Sequence, residues 1–360
     1  MPYLMSSSNE VIGIGPLSPP ITGPGIKNRY IKKGLDGVTS GITWINTLSS
    51  RSDLAYEILR NSTGPNSYVI SVSSNGRLVL SPLIAAKILT GNSRAVLLPA
   101  GGKFADELTN LPQPLKGFYM RLFSTFDAIL PESDEEARKL DQLFGSDVVT
   151  RSLPNPRPRP DIAPDTGPSE ENVGLNVVYV GRIKREKGID GLIDSIRNVR
   201  SDDRRVSLDI YGHFLPGDSY QSDFKNNCDS TQGVEYKGKI PDGKVVEYLR
   251  DYDLFVLPTY YEGEGFPGVI IESFMAGLPV LATDWNYNGE LVKHGYNGRL
   301  FEPKNTDDLT RNIRWFHDNR KELVKMRMNA WESSEEYSIE SITEKLTTIL
   351  SNTGWRLRDQ

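Results

Sequence analysis

Two glutamates eight residues apart, Glu264 and Glu272, carry the strongest chemical signal in the sequence. An apolar strand ending at Leu257 runs into a Gly-rich turn, Glu262-Gly-Glu-Gly-Phe-Pro-Gly268. Pro267 stands where a helix would start. The run after it, Val269 to Ala276, is apolar nearly all round, which predicts a buried helix. A carboxylate at 272, with Val269 three residues before it and Met275 and Ala276 after it, is costly unless something bonds it. Taken alone, a structural hydrogen bond to neighbouring backbone explains Glu272 as well as a ligand does. The spacing adds more. One helical turn and a short loop set the two carboxylates about 10 Å apart. Between them lie the N–H groups and positive dipole end of a helix, which suit phosphate. One carboxylate for sugar hydroxyls, a helix end for a diphosphate and a second carboxylate for a ribose match a nucleotide sugar lying across the turn.

Other charged groups could join them. Arg182 and Lys187 follow the Leu175–Val180 strand at its carboxyl end, where cations can face a cleft; among Lys184, Arg185 and Glu186 they also read as a solvated loop. His213 follows Ile210-Tyr-Gly212 at another strand end, placed for a donor contact or a local hydrogen bond. Asp251-Tyr-Asp253 matches a metal-binding D-x-D, yet it precedes the buried Leu254–Leu257 strand and reads as a polar loop. Gly13 to Gly25 forms a Gly-rich loop after the first strand, and no G-x-G-x-x-G opens a helix there. With three histidines and one cysteine, Cys228, neither a multi-histidine metal centre nor a disulfide framework is expected.

The elements that must position these residues are short apolar runs alternating with amphipathic stretches. Val11–Gly15, Tyr68–Val72, Ala95–Leu98 and Phe126–Leu130 read as strands, with helices near Leu54–Arg60, Leu78–Leu89, Glu107–Ser124 and Ser133–Phe144. A second series has strands at Leu175–Val180, Val206–Tyr211, Val234–Tyr236, Leu254–Leu257 and Pro279–Ala282. Strand followed by helix, repeated, is the signature of a parallel sheet covered on both faces. Two series predict two Rossmann-like, doubly wound α/β domains facing a cleft. We place them at 1–155 and 173–336, joined by a Pro-rich connector over 156–172. Six prolines between Pro154 and Pro168 bar that stretch from a sheet interior. The tail from Thr306 reads as helical, with 337–360 a C-terminal helix returning to the first domain.

Length and charge agree with this plan. The chain has 360 residues, 38% apolar and 25% charged, enough for a core in each half. Its net charge of -5 divides unevenly: residues 1–131 hold 12 Lys/Arg against 7 Asp/Glu, a balance of +5, and the rest hold 30 against 40, a balance of -10. That excludes a broadly basic nucleic-acid binder. It leaves a positive first half that suits an anionic membrane surface or phosphorylated acceptor. Lys116-Gly-Phe-Tyr-Met-Arg-Leu-Phe123, basic and aromatic by turns, adds to that reading. No run approaches the length of a transmembrane helix, and the start lacks the basic and apolar regions of a signal peptide, so a cytoplasmic protein, peripheral at most, is expected.

The ordered set of motifs resembles a family. Glu264 and Glu272 form the E-x(7)-E pattern of retaining GT-B glycosyltransferases of the family 4 type. Ala276-Gly-Leu-Pro-Val280 and Asn297-Gly298 follow as they do there, and Val180-Gly-Arg-Ile-Lys-Arg-Glu-Lys-Gly188 is similar to the family's phosphate element. Phe126-Asp-Ala-Ile-Leu-Pro-Glu-Ser133 and Leu153-Pro-Asn155 resemble its approach to the interdomain link. The resemblance implies that Glu272 bonds the ribose and Glu264 the donor sugar. It implies that Gly265, Phe266, Gly268 and Val269 offer backbone to the diphosphate and sugar, and that Arg182 and Lys187 bind the diphosphate. It places the base near Lys239 and Ile240, and Gly23 and Gly25, here split by Pro24, near the diphosphate. Where relatives carry a histidine before a glycine pair, this chain has Ala100 before Gly101-Gly102; Asp106 and Glu107 are nearby polar candidates for the acceptor or for a helix start. The implied activity is metal-independent transfer of a hexose from a nucleotide sugar, UDP- or GDP-linked, to a hydroxyl of a sugar or lipid-linked acceptor in polysaccharide or glycolipid assembly. The alternatives are a silent nucleotide-sugar-binding subunit and a GT-B epimerase or phosphorylase. No cofactor and no nucleic-acid partner are expected.

Overall fold

The computed structural model describes residues 10–18, 22–39, 41–49, 57, 66–91, 93–163, 174–355 and 357. The chain divides into two compact units, Met1–Pro158 with Tyr337–Gln360, and Arg159–Glu336.

The first unit holds a six-stranded parallel sheet in the order β2-β1-β3-β4-β5-β6. Its strands are β1 (Val11–Gly15), β2 (Ile42–Asn46), β3 (Ser67–Ile70), β4 (Arg94–Leu97), β5 (Ala128–Ile129) and β6 (Val149–Thr150). Successive residues serve opposite faces, as a pleated strand requires. Ile12, Ile70, Leu97 and Ile129 pack with Phe104, Phe123 and Phe126 on one side. Val11, Val69, Val96 and Ala128 pack with Leu35, Leu346 and Leu350 on the other. That second layer includes the helix Ile339–Asn352, which belongs to this unit although nearly two hundred residues separate it from β6.

The second unit repeats the plan in the order β12-β11-β10-β7-β8-β9. Here β7 is Gly174–Val180, β8 Arg205–Tyr211, β9 Val234–Gly238, β10 Leu254–Leu257, β11 Val280–Thr283 and β12 Gly298–Phe301. The chain winds outward from β7 through β8 to β9, then returns to the other side of β7 to lay down β10. The strand order therefore reverses between β7 and β10, and in open parallel sheets a crevice forms beyond the carboxyl ends of strands at such a point.

The structure corrects the sequence reading in places. The helix expected over Glu107–Ser124 is two, Phe104–Thr109 and Leu115–Phe123, broken where Pro112 and Pro114 deny the backbone donors a helix needs. The strands β2, β6 and β12 were not expected. The Gly-rich loop ends early: Gly23 and Gly25 lie in the first turn of the helix Gly23–Val38, with Thr22 as its cap, accepting from the Gly25 N–H at 3.1 Å. The start of the connector is pinned rather than free, since the Arg157 N–H donates to the Tyr337 carbonyl and the Ile339 N–H to the Arg157 carbonyl. The helix near Leu54–Arg60, except Glu57, and the later connector with Pro164 and Pro168 lie outside the described residues. No described helix is long and apolar enough to cross a membrane.

Candidate functional site

The carboxyl ends of β7 and β10, at the reversal point of the second sheet, carry the residues singled out from the sequence. Two contacts bring their loops together. Gly188 adopts φ +72, and a Cβ there would stand 2.1 Å from the Pro258 carbonyl oxygen, so only glycine lets the loop after β7 press on the loop after β10. Beside it the Tyr260 N–H donates to the Glu186 carbonyl at 2.9 Å. As a result the Lys187 ammonium forms a hydrogen-bonded ion pair with the Glu264 carboxylate, across 77 positions of sequence. Both side chains are largely buried, at 8% and 14% exposure.

Thr259, Tyr261, Trp285 and Asn286 hold this pair in place. The Thr259 hydroxyl donates to Glu264 Oε2 at 2.9 Å and accepts from the Tyr261 N–H at 3.2 Å. Asn286 Nδ2 donates to the Glu264 carbonyl at 2.9 Å, and Trp285 Nε1 to the Tyr261 carbonyl at 3.1 Å. The Tyr261 ring gathers three cations: Lys184 Nζ at 4.4 Å, Lys187 Nζ at 5.5 Å and the Arg182 guanidinium carbon at 5.9 Å from its centroid. An aromatic face attracts cations by its quadrupole, so it concentrates positive charge without neutralising it. Beneath them the buried Tyr179 hydroxyl donates to the Arg182 carbonyl at 2.9 Å. Burial first, and then the Glu264 charge, push its pKa well above the ordinary value, so it stays protonated and keeps donating.

The helix after the turn runs from Gly268 to Met275 with Pro267 at its cap. It is not buried all round, as its composition suggested. Ile270, Ile271, Ser273, Phe274 and Met275 are buried, whereas Gly268, Val269 and Glu272 are half-buried. Those three fall on one helical face, at i, i+1 and i+4. Glu272 thus lies on the half-buried stripe that begins at the helix N-terminus; just before that helix Gly265 is half-buried and Phe266 buried.

Along the same sheet edge the structure aligns the next group. Arg182 follows β7, His213 follows β8 and Lys239 follows β9, and all three are exposed. The Ile183 N–H donates to the His213 carbonyl, and a Cβ on Gly212 would meet the Gly181 carbonyl oxygen at 1.9 Å, so the two strand ends run on in close contact. Burial, then Lys239 and Arg182, hold the His213 pKa below its ordinary 6.5. Ile240 is buried directly after Lys239.

The remaining candidates have other duties. Asp253 is buried, accepts from the Asn176 N–H at 2.8 Å and from Arg320 at 3.4 Å, and so braces β7 against β10, while Asp251 is exposed. Asn297 is buried, with its side chain on the Lys293 N–H, the Leu291 carbonyl and Ser333. In the first unit Ala100 is buried, and its carbonyl accepts from Arg77 at 2.9 Å. Arg77, 1% exposed, also reaches the Val72 carbonyl and pairs with Glu107 at 2.5 Å. Glu107 therefore closes a half-buried ion pair with the buried Arg77, and Asp106 is exposed. Sequence reasoning missed Arg77, Thr259 and Tyr261. Tyr261 left one trace, an aromatic residue three positions before Glu264 in the loop that follows a strand.

Residues 168–333 match the family described as Glycosyl transferases group 1. A Bacillus subtilis protein named as a teichuronic acid biosynthesis glycosyltransferase, TuaC, is 31% identical over 201 residues, covering 53% of this chain and 46% of its own. The colanic acid biosynthesis glycosyltransferase WcaL of Escherichia coli is 26% identical over 249 residues, covering 64% of this chain and 58% of its own. The chain thus spans about half the length of these curated relatives. Among solved structures, HepE of Anabaena in complex with UDP superimposes with a TM-score of 0.72 at 17% identity, covering 95% of this chain and all of that one. Sucrose-phosphate synthase of Thermosynechococcus elongatus does so with 0.71 at 15% identity, covering 96% and 99%. These likenesses show the fold, two Rossmann-like α/β units of the GT-B type. Over residues 168–333 the chain is similar to a glycosyl transferases group 1 domain.

Proposed function

We propose that the protein is a glycosyltransferase that moves a hexose from a nucleotide-sugar donor to an acceptor hydroxyl with retention of anomeric configuration, in the assembly of a surface polysaccharide or glycolipid. The observation that carries this reading is the Lys187–Glu264 pair at the reversal point of the second sheet, with Arg182 and Lys184 on the Tyr261 ring beside it. Beside that buried pair, exposed Arg182 and half-buried Lys184 gather positive charge within reach of solvent. The half-buried stripe of Gly268, Val269 and Glu272 offers backbone N–H groups and one carboxylate next to it. A diphosphate fits the first feature and a ribose diol the second.

In the reaction the bond between the anomeric carbon and the diphosphate oxygen breaks, and its electron pair leaves on that oxygen. A bond from the acceptor oxygen to the same carbon forms, and the acceptor proton departs with the nucleoside diphosphate. Charge grows on the leaving group, so cations already in position lower the barrier. Arg182 and Lys187 fill that role. Glu264, tethered by Thr259 and Lys187, is held for the sugar hydroxyls; Gly265 and Phe266 supply backbone around them, and Lys239 and Ile240 lie along the edge that the base would occupy. We assign no metal, because Asp253 of the D-x-D is already occupied by Asn176 and Arg320. Support for a polysaccharide or glycolipid product comes from the names of TuaC and WcaL. HepE was solved with UDP, which favours a UDP-linked donor over a GDP-linked one.

A thermal-shift screen across nucleotide sugars should single out one donor, since a ligand of the folded state alone raises its stability. With that donor and a set of lipid-linked and free saccharide acceptors, nucleoside diphosphate release with an unchanged anomeric configuration by proton NMR is expected. Donor binding with no release on any acceptor would make the chain a binding subunit. Inversion at the anomeric carbon would overturn the stereochemistry.

A further inference from the structure

Eleven large apolar side chains stand exposed among the described residues, and six of them lie on two helices of the first unit. Leu78, Val79, Leu83 and Leu89 are on Ser74–Gly91, and Leu115 and Phe118 on Leu115–Phe123. The helices are neighbours, with the Tyr119 hydroxyl donating to the Leu78 carbonyl at 3.1 Å. Between them opens a cleft of about 610 Å³ whose walls include Pro82, Ala86, Leu89, Pro114, Phe118 and Arg121. Isolated exposed leucines are ordinary, but six on two adjoining helices, with Leu89 and Phe118 lining the cleft between them, mark an interaction surface.

Charge says what kind. Neither helix contains an aspartate or glutamate, while both contain basic residues: Arg77 and Lys87 on the first, Lys116 and Arg121 on the second. Between Glu57 and Asp106 the sequence has no carboxylate at all, in a chain with 47 of them. Arg77 turns inward, but Arg121 is exposed and Lys116 half-buried at the edge of the apolar face. A second copy of this chain would set one basic rim against another, which is repulsive. An apolar centre with a rim of one sign complements a hydrocarbon layer bounded by anionic headgroups.

We propose that this face of the first unit seats on an anionic phospholipid bilayer. Leu83 and Phe118 enter the acyl boundary, the cleft between the helices receives one acyl chain, and Lys116 and Arg121 lie at the headgroup phosphates. The contact is independent of donor binding in the second unit.

Sedimentation of the full chain with vesicles tests it. Recovery is expected with vesicles containing phosphatidylglycerol, falling at high salt, and not with phosphatidylcholine alone. Lys116→Gln with Arg121→Gln should lower partitioning about five-fold per charge. Leu83→Glu with Phe118→Glu should lower it by at least about ten-fold. Both positions are exposed, so melting temperature and donor-induced thermal shift should be unchanged, and Leu215→Glu on the second unit should leave partitioning intact. The indole of Phe118→Trp should be quenched by brominated acyl chains. Equal recovery from both vesicle types, or an unquenched indole, would overturn the proposal. So would a concentration-dependent dimer, abolished by Leu83→Glu, in a chain that ignores vesicles.

Discussion

Both sheets reverse their strand order once, and the two reversal points are built in opposite ways. In the second unit the crevice between β7 and β10 is lined by Lys187, Glu264 and Tyr261 and bordered by exposed Arg182. In the first unit the order reverses between β1 and β3, and there Asn28, fully buried on the helix Gly23–Val38, fills the gap. Its Nδ2 donates to the Pro16 carbonyl at 2.9 Å and the Ser71 carbonyl at 3.3 Å. A Cβ on Gly15 would meet that Ser71 oxygen at 2.2 Å. Charges in the first unit are likewise sunk and bonded, Lys27 to Glu132 at 3.0 Å and Arg77 to the Ala100 loop. Topology thus provides a crevice in each sheet, and one buried amide decides which of the two stays open.

The comparison can be broken at either end. The largest effect belongs to the open crevice: Arg182→Ala with Lys187→Ala should cut the transfer rate about 100- to 1000-fold. Affinity for the nucleoside diphosphate should fall with it, while the bare nucleoside binds as before. A double variant near full activity, with strict dependence on added magnesium, would move the chemistry elsewhere. At the closed crevice, Asn28→Ala strands one buried and one part-buried carbonyl and should cost about 1–3 kcal/mol in urea unfolding of the first unit. Donor affinity measured by calorimetry should not change; a matching loss there would mean the first crevice also binds donor.

Glu272→Gln keeps the shape of the half-buried stripe and removes its charge. Donor affinity should weaken about ten-fold, the difference between a charge-assisted and a neutral hydrogen bond. Unchanged affinity in a folded variant would leave Glu272 a structural residue. The smallest effect is that of His213, whose pKa is held below 6.5 by burial and by Lys239 and Arg182. As pH falls through 6.5 the unfolded chain takes its proton first, so stability should decline from there until the folded value is reached, then level off. Chemical unfolding across that window should show the slope in the parent and not in His213→Asn.

Much of this was legible in the sequence, and what was not shares a cause. The nine strands read from apolar runs include every interior strand of both sheets, since a strand covered on two faces is apolar throughout. The three that were missed, β2, β6 and β12, are all edge strands. Their burial is interrupted, as in Ile42–Asn46 and Gly298–Phe301, so no continuous run marks them. At the site, Glu264 and Glu272 could be picked out by spacing, and Arg182 and Lys187 by the resemblance of their loop to a family motif. Their mutual contacts could not, because a partner 77 positions away leaves no local pattern. Arg77 is the sharpest case: nothing in its neighbours along the chain marks it, and only the fold shows it closing on Ala100 and Glu107.

The helix Ile339–Asn352 lays Ile342, Leu346 and Leu350 into the first unit's core, beside Val11 and Leu35. During synthesis this has a temporal meaning. Residues 159–336 form a continuous stretch and can complete their fold as soon as they leave the ribosome. The first unit, although translated earlier, waits with one face of its sheet only partly covered, by the helix Gly23–Val38, until the last helix emerges. A ribosome paused after residue 336 would therefore carry a protease-resistant second unit and an open first one, in the reverse of the order in which they were made.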